Sequence, residues 1–169
     1  MVSPHLADDL PTAVSIMEVG PRDGLQNEKT VVDTASKIAF IENLANAGLK
    51  RIEITAFVSP RWIPPLADQL EVACGIKKKP GVSYAALVPN VRGYERAMST
   101  GALDEVSIVV AASNEHNLKN LNADTDKVME RYRELASRAR ADRCPFRAYV
   151  SCTFGCPYEG QVSIAEVLR

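Results

Sequence analysis

No stretch of this sequence reaches the roughly 18 consecutive apolar residues that a membrane-spanning helix needs, so nothing in it reads as a bilayer span. Net charge is almost absent. Twenty lysines and arginines against 21 acids leave −1, which excludes the basic footprint of nucleic-acid binding or of docking on an anionic membrane. Histidine is scarce. His5 and His116 stand alone, with no HxH or HxxxH spacing. The cysteines, Cys74, Cys144, Cys152 and Cys156, lack any CxxC pair. They are expected as reduced thiols, with Cys74 and Cys144 as small buried hydrophobes. No strand is followed by a Gly-rich phosphate loop, which argues against a nucleotide-binding sheet. The opening MVSPHLADDLPTA has no basic region before an apolar core and carries Asp8 and Asp9, so no targeting peptide is expected and the protein reads as cytoplasmic.

What is present is enough for one folded domain. The 169 residues are 46% hydrophobic and 24% charged, a balance that can bury a core. Residues 1–13 read as an N-terminal extension and 14–169 as the domain. The domain alternates strand and helix. VSIMEV (14–19), RIEITAF (51–57), SYAALVP (83–89), EVSIVVAAS (105–113) and RAYVSCTFG (147–155) read as strands. Between them, helices are expected from Asp33 or Thr34 to Ala47, over about 66–78, over 91–100 and over about 124–141. Ser163 and Glu166 have capping-box spacing for a further helix near 164. One βα unit after another predicts an α/β fold with a parallel sheet and right-handed crossovers. A complete doubly wound domain and the first five strands of a longer TIM (βα)8 barrel both fit, and the second is favoured because the sequence stops as that helix starts.

The charges point to chemistry. Parallel strands are covered on both faces and should be apolar, yet Glu18 and Glu53 fall in or near the first two. A buried carboxylate calls for a cation, a metal or a dense set of donors. In "EVGPRDGLQNEK" (18–29), Arg22 is the nearest cation, and Asp23 sits in the loop after the first strand, where α/β folds place their chemistry. An Asx-turn would explain Asp23 equally well. "FVSPRWIPPLAD" (57–68) is a stiff loop around Trp62 that suits a site wall or plain packing. "ASNEHNLKNLN" (112–122) is read as a polar loop. In "YVSCTFGCPYEG" (149–160), Tyr149, Ser151 and Thr153 alternate onto one face before the Gly155-Cys156-Pro157 turn.

Taken together and in order, "EVGPRDGLQNE", "IEITAFVSPRWIPPLAD", "ALVPN", "AASNEHNLKNLN" and "YVSCTFGCPYEG" resemble the hydroxymethylglutaryl-CoA lyases, from about residue 14 to 169. RDGLQ alone would indicate only the wider metallolyase superfamily. Ala56 stands where many of these lyases have serine. The resemblance implies a (βα)8 barrel and cleavage of 3-hydroxy-3-methylglutaryl-CoA to acetyl-CoA and acetoacetate, in leucine degradation and ketone-body formation. It implies a divalent metal, Mg2+ or Mn2+, a small-molecule acyl-CoA substrate, and a homodimer for the complete protein. By resemblance Asp23 is a metal ligand, and Arg22, Glu53 and Tyr149 are catalytic candidates. Arg22 would stabilise the enolate, and Glu53 and Gln26 would hold the Arg22–Asp23 pair. Gln26, Lys29 and Asn120, with Arg22, are candidates for substrate contact. The family's other metal ligands, an HxH pair and an asparagine, belong to later strands and are not in this stretch. Two further readings are a sibling metallolyase, aldolase or synthase acting on another acyl-CoA or a 2-oxo acid, and a short non-catalytic protein that binds a partner through an open sheet edge.

Overall fold

A computed structural model describes residues 11–169. Four parallel strands form one sheet in sequential order: β1 (Arg51–Ala56), β2 (Ser83–Leu87), β3 (Glu105–Ala111) and β4 (Phe146–Ser151). Neighbouring strands are adjacent in sequence and joined through helices, which is the connectivity of a (βα)8 barrel wall. The register aligns Arg51 with Ser83, Ala85 with Glu105 and Ser107 with Arg147.

The expected first strand at 14–19 does not form among the described residues. Only Glu18 reaches the sheet, in a parallel bridge to Ile52 made by Glu18 N–H to Arg51 O (2.9 Å) and Glu53 N–H to Glu18 O (2.8 Å). Val14 and Ile16 are exposed, so β-branched residues that favour a strand have no apolar cover there to hold one.

The helices follow their caps. α1 (Thr34–Asn46) starts at Asp33, whose carboxylate accepts from Ser36 N–H. α2 (Gln69–Gly75) is shorter than expected. Pro64 and Pro65 shape a separate 3-10 turn before it, and the backbone is already extended at Ile76. α3 (Val91–Met98) is capped by Asn90, and its Gly93 is required by packing, because a Cβ there would stand 2.7 Å from Phe57 O. The stretch 112–122, expected as a loop, is mostly helix: α4 (Asn114–Leu121) is capped by the Ser113 hydroxyl, which accepts from His116 N–H. The cap outweighs the low helix propensity of three asparagines. α5 (Thr125–Ala141) buries Val128, Tyr132, Leu135 and Ala139 at helical spacing. α6 (Ile164–Leu168) begins at Ser163 as its capping-box spacing predicts.

The core lies between the sheet and these helices, around Ile41, Ile52, Ile54, Val72, Tyr84, Tyr94, Val106 and Leu135. The thiols depart from expectation. Cys74 is exposed because α2 turns Val72 and Ala73 inward instead, Cys144 is half-buried before β4, and Cys156 is the buried one. All four are free.

The opposite face of the sheet is polar. Stepping two residues along each strand keeps a side chain on the same face. One layer is therefore Arg51, Glu105 and Arg147, and the next is Glu53, Ser107 and Tyr149.

Candidate active site

The site begins with a backbone device. After Glu18 the chain makes a π-helical turn, Gly20–Gly24, in which Val19 O accepts from Arg22 N–H (3.1 Å), Asp23 N–H (2.7 Å) and Gly24 N–H. The Glu18 carboxylate anchors its start by accepting from Gly20 N–H at 2.5 Å. A Cβ on residue 20 would lie 2.7 Å from that oxygen, so a larger residue would displace the Glu18 carboxylate from this bond. The turn pushes two adjacent side chains, Arg22 and Asp23, toward the C-terminal end of the sheet.

There Arg22 is clamped. Its Nε donates to Glu53 Oε2 at 2.5 Å and its Nη1 to Asp23 Oδ1 at 2.7 Å. Glu53 is fully buried. Its other oxygen, Oε1, accepts from the Ser107 hydroxyl and, at 3.4 Å, from Tyr149 OH. A buried carboxylate in a strand thus finds a cation and two hydroxyls, which offset the cost of taking it out of water. Breaking such a pair by removing one partner costs about 3–5 kcal/mol. Burial, and then the Glu53 charge beside it, push the Tyr149 phenol up to about 12, so Tyr149 remains a neutral donor.

These groups border a cavity of about 970 Å³. Arg22, Asp23, Gln26, Asn120 and Tyr149 all line it, while Glu53 lies behind Arg22. The exposed Lys29 does not line it. Asn27 holds the turn by donating to Asp23 O (2.8 Å). The far wall comes from α4 and α5, fixed by a residue that composition alone did not reveal. Asn117 is fully buried and imitates a strand partner, accepting from Ala111 N–H and donating to Ala111 O, both at 2.8 Å. That bond locks α4 to the end of β3 and turns His116 and Asn120 to the cavity. Arg131 and Tyr132 join from α5, a second contribution missed in the sequence; their spacing from Val128, three and four residues on, marks the shared face. The 57–68 loop forms a further wall. It is pinned by Asp68, which accepts from Thr34 Oγ1 (2.7 Å) and from the buried Lys37 Nζ (2.6 Å). Trp62 lines the cavity at its rim and is 64% exposed, so it is not a packing residue.

Asp23 has a half-exposed carboxylate, a donor of the hard, oxygen type that Mg2+ and Mn2+ prefer. No three His, Cys, Asp or Glu side chains among the described residues come together as a metal cage. Asp23 therefore fits one corner of a divalent site, and the described residues do not complete it.

The HMGL-like family model matches residues 13–169. The chain belongs to the HMGL-like family. It is similar to the mitochondrial hydroxymethylglutaryl-CoA lyase of Gallus gallus, 53% identical over 157 residues, covering 93% of this chain and 52% of that protein. It is similar to the cytoplasmic 3-hydroxy-3-methylglutaryl-CoA lyase of Rattus norvegicus, 50% identical over 158 residues, covering 94% and 46%. Among solved structures it resembles an HMG-CoA lyase from Acinetobacter baumannii in complex with coenzyme A and 3-methylmalate, with a TM-score of 0.86 and 40% identity over 91% of this chain and 50% of that one. The chain thus spans about half the length of the relatives it matches. Membership in the HMGL-like family accounts for the parallel sheet: these are the early βα units of a TIM barrel. Relatives named for either compartment occur, and no helix among the described residues is long and apolar enough to cross a membrane.

Proposed function

We propose that the full-length protein is a carbon–carbon lyase that cleaves 3-hydroxy-3-methylglutaryl-CoA to acetyl-CoA and acetoacetate, and so serves leucine breakdown and ketone-body formation. The observation that carries this reading is the Arg22 guanidinium, held between Glu53 and Asp23 and facing the cavity. The reaction removes a proton from a tertiary alcohol, breaks the adjacent carbon–carbon bond and leaves the electron pair on a thioester enolate. Charge therefore develops on the thioester oxygen. A fixed guanidinium donor aimed at that oxygen is worth most in the transition state. With Nε and Nη1 engaged by carboxylates, Arg22 keeps its remaining N–H groups for the substrate. Tyr149 supplies a neutral hydroxyl beside it, and Gln26 and Asn120 supply amides to the cavity wall. Lys29, outside the cavity lining, is left to a loop contact with the CoA portion. Asp23 would be one ligand of the divalent ion, Mg2+ or Mn2+, which when bound lowers the cost of ionising the substrate alcohol. Four free thiols suit a reducing compartment, and the cytoplasm is the proposed location. A homodimer is part of the same reading and is checked by light scattering on the full-length protein.

The test is a coupled acetoacetate assay on the purified full-length protein with Mg2+ or Mn2+, alongside a panel of other 3-hydroxyacyl-CoA esters and 2-oxo acids. Acetoacetate release from hydroxymethylglutaryl-CoA is expected. Turnover confined to another member of the panel would replace this reading with a sibling metallolyase. No turnover on any of them would end it.

A further inference from the structure

We propose that Ser107 is a positioning residue for Arg22, acting through Glu53; this rests on the lyase reading above. Arg22 belongs to a turn outside the sheet, whereas its partner Glu53 lies on β1. Of the two carboxylates that hold the guanidinium, Asp23 is half-exposed on the same turn, whereas Glu53 is buried in the sheet and takes Nε on Oε2 alone, so Glu53 is what ties Arg22 to the sheet. A carboxylate held at one oxygen can rotate about its terminal bond, where the torsional preference is broad. Ser107 prevents this. Its hydroxyl donates to the other oxygen, Oε1, from two strands away, with both side chains fully buried. The bond can reach across β2 because the residue paired with Glu53 is Ala85, also fully buried and too small to block the path. With donors on both oxygens, the carboxylate plane is fixed against β3, and the guanidinium is fixed with it. Tyr149 also reaches Oε1, but at 3.4 Å it is the weaker of the two donors.

A serine that merely satisfied a buried carboxylate would affect stability. One that orients Arg22 must affect the step in which Arg22 meets developing charge. Ser107→Thr and Ser107→Val separate the two, since they add nearly the same bulk to β3 and differ in the hydroxyl; Ser107→Ala is the smaller companion should the β-branched pair pack poorly. In the full-length protein, Ser107→Thr is expected within about twofold of wild-type kcat, while Ser107→Val and Ser107→Ala lose about tenfold with KM within about twofold. Equal kcat for the Thr and Val variants, or losses that appear only in KM, would overturn the proposal. A second readout needs no turnover. The Arg22 Nε–H resonance in 15N-labelled protein, assigned by its loss in Arg22→Lys, should be protected from solvent exchange in wild type and Ser107→Thr and exchange faster in Ser107→Val. Unchanged exchange in the Val variant would also overturn it. If wild type releases no acetoacetate, the lyase reading falls, and the exchange measurement still decides whether Ser107 holds the pair.

Discussion

Two adjacent layers on the polar face of the sheet use the same residue types to different ends. In the lower layer, Glu105 accepts from Arg51 (2.5 Å) on one oxygen and Arg147 (2.6 Å) on the other. In the layer one step along the strands, Glu53 accepts from Arg22 on one oxygen and from Ser107 and Tyr149 on the other. The first is two cations around one acid, all three from strands. The second shares one cation between two acids, and that cation comes from a turn. The strand-borne layer takes no part in lining the cavity, whereas Arg22, Asp23 and Tyr149 do. Charge composition therefore does not separate a structural ion network from a chemical one. What separates them is whether the cation faces the cavity, as Arg22 does and Arg51 and Arg147 do not.

The largest expected effect tests this directly. Arg22→Gln in the full-length protein should lower kcat by about a hundredfold or more with a much smaller change in KM, since a buried charge-assisted donor is worth roughly 3 kcal/mol. Arg147→Gln should leave kcat within a few-fold. Steady-state kinetics on both decide it, and equal losses would erase the distinction between the layers. Asp23→Asn comes next. It should weaken divalent-ion affinity by titration calorimetry on the full-length protein while circular dichroism stays unchanged, because the turn is held by backbone bonds to Val19 O. Unchanged metal affinity would make Asp23 only a partner of Arg22.

Glu105→Gln should move stability rather than chemistry. Arg51 and Arg147 keep some solvent contact, so the loss is expected at about 1–2 kcal/mol in denaturant unfolding, with kcat per folded molecule intact. The smallest effect is at alkaline pH. Burial pushes Tyr149 and Tyr132 up to about 12 and raises Tyr94 as well. Their folded values lie above the unfolded value of about 10, so the unfolded state gives up protons first. Stability should be independent of these groups below about pH 10 and fall between about 10 and 12. Tyr149→Phe should shallow that fall slightly. The exposed Tyr158 contributes to phenolate absorbance as well, so the contradicting result is a signal near pH 10 in the folded protein that shrinks in Tyr149→Phe.

The same comparison shows where sequence reading works. Glu53 in the middle of RIEITA was legible because a carboxylate in a parallel strand needs a reason, and the family resemblance, not the sequence neighbourhood with its nearer Arg51, pointed to Arg22. The caps at Asp33 and Ser163 were legible because capping is local. Ser107 and Asn117 were not. Ser107 earns its role only once β3 lies two strands from β1, and Asn117 only once α4 folds back onto Ala111. Neither distance is encoded in the neighbours of those residues. The 14–19 stretch failed for a related reason: strand propensity is local, but a strand also requires partners along its length, and only Glu18 has one.

Trp62 is the sole tryptophan in the sequence, and the Pro-rich loop stations it at the cavity rim with most of its ring in water. Residues 1–169 therefore carry one indole among five phenols, and it sits at the rim of the cavity. In these residues a ligand that covers the rim would shift the indole emission to shorter wavelength with no competing signal from other tryptophans, while one that binds elsewhere would leave it unchanged. The loop is at once a wall and an optical gauge of what has come through it.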